Sequence, residues 1–317
     1  MLIAGEVVVT ADTPSSPPSE RTRTPLEKGL DRLFEGTTMG FAIFILILLV
    51  AIGLLILIQA WPAIQRFGLA FLWTSSWNPV EGREAFGVLP MIVGTLLSAA
   101  IALVIAVPLG LGTALFLSEN FIPLKIRTVL VFMVELLAAI PSVVYGLWGI
   151  FVLIPALKWF LGLFGIPFVG PSLLAASLVL SIMILPIITA ISRDSLAALP
   201  PELRQGSYGL GATRWGTIFR VLVPAAISGI VGGVMLALGR AMGETMAVTM
   251  LIGNSNTISS SILKPSNTIA SLLANQFAEA KGIQVAALMY AALVLVILTL
   301  IVNILADWIV RKLQAKY

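Results

Sequence analysis

The sequence predicts an all-α fold, a polytopic membrane helix bundle of about six transmembrane helices, and three observations lead there. Apolar residues make up 59% of the 317 positions, against roughly half in an average soluble domain, and the excess has to face lipid. Charged residues are only 11%, less than half of the roughly 25% usual in soluble domains. The apolar residues also fall in long runs, each near or beyond the ~20 residues that cross a hydrocarbon core. The chain therefore reads as one set of spans and not as the two soluble domains its length would allow.

Residues 1–37 are rich in Ser, Thr, Pro and charge (TADTPSSPPSERTRTPLEKGLDRLFEG). Such a segment buries too little apolar surface to offset its chain entropy, which predicts a disordered cytoplasmic tail. The opening MLIAGEVVV is too short and too acidic for a signal peptide, so the first span is expected to act as an uncleaved targeting signal. That span, residues 39–61, reaches roughly 34 Å at 1.5 Å per residue, and Trp61 sits where an interfacial anchor belongs. A polar, Trp-containing stretch follows. The second run, 89–117, is interrupted by Pro108 and three glycines, which predicts a kink. The remaining runs are 129–157, 172–191, 221–252 and 285–309, and those much longer than ~20 residues predict tilt or bends, not extra spans. The transmembrane permease domain is thus expected over 38–317.

Lysine and arginine set the orientation. With an even number of spans, thirteen of the 19 fall on the side of the termini: Arg21, Arg23, Lys28, Arg32, Lys125, Arg127, Arg193, Arg204, Arg214, Arg220, Arg311, Lys312 and Lys316. Five (Arg66, Arg83, Lys158, Lys264, Lys281) fall on the other, and Arg240 lies inside a span. Both termini are expected in the cytoplasm.

Composition also removes whole classes of function. The chain has no Cys and no His, which excludes disulfides, thiol and imidazole catalysis, and the usual zinc or haem ligands. The net charge of +4 comes with no basic cluster interleaved with aromatics, so no nucleic acid is expected. No GxxxxGK[ST] occurs, and GLGATRWG lacks the dinucleotide-binding spacing. No cofactor is expected on this chain, and any ATP must be bound by another subunit.

Three places carry residues that lipid alone does not explain. In the fifth run, LALGRAMGETMAVTM places Arg240 and Glu244 four residues apart, on one face of a continuous helix. Each costs at least ~2.5 kcal/mol at mid-membrane, which points to a polar pathway or gate. A structural ion pair that fixes helix packing would place the same residues there. Glu135, in VELLAAIPSVVYGLWG, could meet Arg240 across the bundle or snorkel to the cytoplasmic edge. The third place is the cytoplasmic loop 192–220, SRDSLAALPPELRQGSYGLGATRWGTIFR. Pro200 and Pro201 start a helix with Glu202 in its first turn, Gly209 and Gly211 break it, and Trp215 and Phe219 return the chain to the membrane. Such a helix suits docking of a soluble partner, or else lies on the bilayer surface.

This loop resembles the EAA signature of permease subunits in bacterial ABC importers: E-A-A, three residues, Gly, nine residues, I-x-L-P. Gln205, Gly206 and Ser207 stand at the first three positions, Gly211 at the glycine, and Val221, Val223 and Pro224 at the end. Gln205 replaces the usual glutamate. ELLAAIPSVVYGLWG and GRAMGETMAVTMLIGN further resemble the C-type permease subunit of the phosphate-specific importer, and the likeness runs from about Leu89 to the C-terminus. The resemblance implies a type I ABC importer permease fold in the bacterial inner membrane. It also implies an A-type permease beside this one, two ATPase subunits holding ATP and Mg, and an extracytoplasmic phosphate-binding protein. Gln205, Gly206, Ser207, Tyr208, Gly209, Gly211 and Ala212 would dock an ATPase, and Arg240 and Glu244 would bear on transport. A permease for molybdate, sulfate or an amino acid would share the scaffold. An ion-coupled secondary transporter would also use buried charge, yet the six spans show no obvious inverted repeat and the docking loop would have no use. A membrane scaffold without a pathway leaves the buried charges unexplained, and an enzyme lacks a catalytic set.

Overall fold

A computed structural model describes residues 25–119 and 121–314. The chain divides into two units, residues 1–53 and 54–317. The first contains most of helix α1 (Pro25–Phe67). Residues 25–37, expected to belong to the disordered tail, are instead its opening turns, and the rest of that tail lies outside the described residues. The local chemistry accounts for the start: proline is pre-set for a first helical position and Glu27 suits the first turn. Thr37 and Thr38 donate their hydroxyls to the Phe34 carbonyl at 2.9 and 2.8 Å, which satisfies them inside the helix. Phe34, Phe41 and Phe44 are exposed, as expected of an all-round apolar helix in lipid.

In the second unit, α1 ends in a small aromatic cap. Helix α2 (Ala70–Trp73) and the two-residue strands β1 (Trp77–Asn78) and β2 (Ala85–Phe86) follow, with Trp77 opposite Phe86. Phe71 stacks on Tyr290 at 4.4 Å, and the Trp77 indole donates to Gln276 at 2.7 Å. Then come α3 (Leu89–Ser118), α4 (Leu124–Ala139), α5 (Ser142–Trp148), a π turn over Gly149–Leu153, and α6 (Ile154–Gly162). Helix α7 (Leu173–Ala197) leads to α8 (Pro201–Gly209), α9 (Arg214–Thr217), a second π turn (Ile218–Leu222) and α10 (Val223–Ala225). The chain closes with α11 (Ile227–Gly243), α12 (Met246–Leu251), α13 (Ile269–Gln276) and α14 (Ile283–Gln314).

Five of these helical stretches are long and apolar enough to cross a membrane, and a sixth follows if Arg214–Ala225 and Ile227–Gly243, bent by 69°, count as one span. Two of the expected runs are not single helices. Residues 129–157 are divided at Ile140–Pro141, where Ile140 takes ψ 127 and Pro141 ψ 140, because proline drives the preceding residue out of the helical region. The spanning segment there is Ser142–Gly162, with α4 leading into it. Residues 221–252 are divided twice, at Ala226 and again at Glu244–Thr245.

Helix α7 is the hub, packing on α3, α11, α4 and α12. Its contact with α3 is the broadest in the bundle. Ala99, Ala102 and Ala106 of α3 meet Leu180, Ile184 and Ile188 of α7 and Ala237 and Ala241 of α11. Close approach is the point of the small side chains, since helices in lipid are held by van der Waals contact and hydrogen bonds. A Cβ on Gly110 would sit 2.9 Å from Ile188 Cγ2, and its carbonyl accepts from the Thr189 hydroxyl at 3.2 Å.

Candidate pathway residues and docking surface

Arg240 lies thirteen residues into α11, about 20 Å along the helix axis from its start. The side chain is exposed on the surface of the chain, and among the described residues no ion pair engages it. In α5, the Tyr145 hydroxyl donates to the Leu137 carbonyl at 2.8 Å. Tyr145 thereby ties the last turn of α4 to the first of α5.

Glu244 is not one turn further along the same helix, as the four-residue spacing led us to expect. Helix α11 stops at Gly243, and Glu244 is its C-cap with extended ψ 125. Glycine is a poor helix former, and the glutamate finds another use. Its carboxylate accepts a long bond from the Ala247 amide at 3.5 Å, at the open N-terminal end of α12 where unpaired amides favour an anion. The Thr245 hydroxyl returns to the Gly243 carbonyl at 3.1 Å. The break therefore separates the two charges.

Glu135 does not reach Arg240 either. It projects from α4 to Arg193 of α7 at 3.6 Å, and Arg193 also holds Asp194 at 2.9 Å. Arg193 entered the sequence reading only as a topology charge. Its pairing with Glu135 joins α4 to the C-terminal end of α7.

The candidate docking loop is built from α8, α9 and the turn between them. Helix α8 starts behind Pro200 with Glu202 in its first turn. Gly211 takes φ +81, a conformation that favours glycine, and the turn closes through Gly211 N to Tyr208 O at 2.9 Å and Ala212 N to Ser207 O at 3.1 Å. Gln205, Gly206, Tyr208, Gly209, Gly211 and Ala212 are all exposed, and Leu210 at the tip is 92% exposed. Ser207 faces inward instead and shares a hydrogen bond of 2.9 Å with the buried Thr217 hydroxyl. Below the loop, Phe121 takes Arg214 over its ring at 3.9 Å and packs against Trp215 at 5.7 Å.

Sequence reasoning missed one buried group here. Glu119, at the end of α3, is held by the Arg204 guanidinium of α8 through Nε at 3.1 Å and Nη2 at 3.0 Å. The available signal was a lone acid directly after an apolar run, on the side of the membrane that collects the cations.

A bundle of long apolar helices packed around α7, several of them bent, has the architecture of a multi-pass membrane permease. The fold is that of type I ABC importer permeases: a bacterial alginate ABC transporter, crystallised with an alginate-bound periplasmic protein, superposes with a TM-score of 0.63 at 17% identity, over 90% of this chain and 96% of that one. The chain belongs to the family described as binding-protein-dependent transport system inner membrane components, which matches residues 106–317. It is 44% identical to the phosphate transport system permease protein PstC of Haemophilus influenzae over 301 residues, 90% of this chain and 94% of that protein. To the protein of the same description from Pasteurella multocida it is 42% identical, over 90% of this chain and 93% of the relative.

Proposed function

We propose that this chain is the C-type permease subunit of an ATP-driven importer that carries inorganic phosphate into the cytoplasm by alternating access. The observation that carries the reading is Arg240, a guanidinium with no ion-pair partner among the described residues, presented at the broken end of a membrane helix. A guanidinium matches phosphate bidentately and stays charged when desolvated. The near full-length likeness to proteins described as phosphate transport permeases supports the same substrate.

In this reading an A-type permease covers the face that carries Arg240. Two ATPase subunits, each holding ATP and Mg, receive docking loops, with Gln205, Gly206, Tyr208, Gly209, Gly211 and Ala212 on the contact side and Ser207 behind them. A phosphate-binding protein delivers the anion to the opposite side, and both termini are cytoplasmic in a bacterial inner membrane. Closure of the ATPase pair pushes the loops and rocks the bundle outward-facing; hydrolysis lets it return and release phosphate inside. Glu244 shapes the break beside Arg240 by binding an α12 amide.

Radiolabelled phosphate uptake into vesicles holding the full assembly tests this. ATP-dependent uptake that resists sulfate and molybdate supports it, with Arg240→Lys reducing uptake through loss of the two-pronged contact. ATP-dependent uptake of a competitor in place of phosphate would overturn the substrate. Uptake that ignored ATP and followed the proton gradient would overturn the importer.

A further inference from the structure

The docking helix is attached to the rest of the bundle by few polar contacts, and one of them differs in kind from the others. Arg204, in the middle of α8, gives two hydrogen bonds to Glu119 Oε1, at 3.1 and 3.0 Å, and a third to the Leu196 carbonyl at 3.1 Å. Glu119 is the C-cap of α3, its amide bonded to the Leu115 carbonyl at 3.1 Å, and its side chain is only 6% exposed. Leu196, fully buried, is in the last turn of α7. A single guanidinium thus joins α8 to the ends of the two helices that share the broadest contact in the bundle. Further side-chain contacts on this side among the described residues are a neutral hydroxyl pair, Ser207 of α8 with Thr217 of α9, and the aromatic seat of Phe121 under Arg214 and Trp215 of α9. An aromatic contact lets surfaces slide. A buried carboxylate held by a rigid planar fork does not, because displacement leaves the charge desolvated and unpaired.

We propose that the Glu119–Arg204 pair is the strut that converts displacement of the docking helix into joint movement of α3 and α7. Neither residue touches substrate; both are positioning residues. Helix α7 packs on α11, which carries Arg240, so the strut lies on a continuous packed path between the docking surface and the candidate pathway. The inference rests on the reading of α8 as the ATPase docking element.

The test uses the complete transporter in vesicles and reads phosphate taken up per ATP hydrolysed, with Glu119→Gln, Arg204→Met and the double variant. The expected result is ATP hydrolysis near the wild-type rate with uptake per ATP down about tenfold, inside the roughly 5- to 150-fold range of coupling between sites. The double variant is expected to be no worse than either single, since the two residues act as a unit. Glu119→Asp, which keeps the charge on a shorter stem, should restore part of the ratio. It also keeps the test decisive if the neutral variants fail to assemble. Because the chain has no cysteine, a spin label on a cysteine placed at Leu210 reports separately on α8, and Glu119→Gln should make it more mobile. A ratio unchanged in every variant, or uptake and hydrolysis falling together, overturns the strut while wild-type uptake still requires ATP. Wild-type uptake without ATP overturns the importer reading, and the strut with it.

Discussion

Replacing Gly94 by alanine should destabilise the chain more than a single methyl ordinarily does. A Cβ built on Gly94 would overlap the carbonyl oxygen of Asn267 and lie 3.0 Å from both the Asn267 carbonyl carbon and Ser266 Oγ. Neither neighbour is free to move. Ser266 is bonded in both directions, its amide to Ile252 O and its carbonyl to Ser255 N, each at 2.9 Å, and the buried Asn267 holds Asn256 at 2.8 Å. Helix α3 itself must then back away, which pulls the Thr95 hydroxyl from the buried Ile269 amide it accepts at 3.1 Å. Overpacking costs typically about 1–3 kcal/mol and an orphaned buried amide about a further 1–3, so the total is about 2–6 kcal/mol. Gly112, on the same helix, has nothing within 4 Å of its virtual Cβ, and its alanine variant should be stabilised by roughly 0.5–1 kcal/mol through helix propensity alone. Thermal unfolding of the purified chain in detergent compares the two. Gly94→Ala melting with the wild type would mean that the segment around Asn267 does not press on α3, and the packing argument would fail.

Thr95→Val removes the acceptor for Ile269 without adding bulk, and should cost about 1–3 kcal/mol in the same melting experiment. That isolates the hydrogen-bond share of the Gly94 effect. In the loop before α3, Glu84 is held below the ordinary carboxylate range by its own backbone amide and by Arg66, whose guanidinium is 3.0 Å away. A depressed folded pKa means that this contribution is present above the ordinary carboxylate range and is lost as pH falls through the lower folded value. Hydrogen exchange of residues 82–86 should therefore accelerate only in acid, and Arg66→Gln should move its onset upward. Gly211→Ala forces a side chain onto φ +81, costing about 1–2 kcal/mol. If the turn aims the docking surface, binding of the ATPase subunit should weaken while the melting temperature of the membrane helices stays unchanged.

How far the sequence speaks depends on which physics each feature obeys. Helices α3, α7 and α14 were legible because transfer into lipid depends on the summed apolarity of a window, and their runs are long. The start of α8 was legible too, since Pro200, Pro201 and Glu202 are local signals for local geometry. Bending of the long runs was legible from their length and prolines, but full interruption of the helix was not: an apolar window weighs composition and does not register that ψ at Ile140 is 127. A single unplaced interruption then misdirects every inference that assumes a continuous helix. Arg240 and Glu244 belong to one face only if α11 runs on past Gly243, and it does not.

The same reasoning explains why the ionic contacts escaped notice. Glu135 with Arg193 and Glu119 with Arg204 each join residues far apart in sequence, 58 and 85 positions, and no local pattern specifies them. Glu119 follows the apolar run of α3 and Arg193 lies near the end of that of α7, whereas Arg204 sits in the middle of α8 and Glu135 inside the run of α4. A permease that must hand motion from a soluble partner to its membrane helices needs stiff contacts at that boundary. Apolar packing there would meet lipid headgroups and water, while charge pairs keep both direction and distance. Neutralising Glu135 should then weaken the attachment of α4 to α7 without touching α8, and neutralising Glu119 should do the reverse. Cross-linking between cysteines introduced on α4 and α7, compared in Glu135→Gln and Glu119→Gln, separates them: loss of the cross-link only in Glu135→Gln is the expected pattern, and equal loss in both would show that the two contacts form one unit.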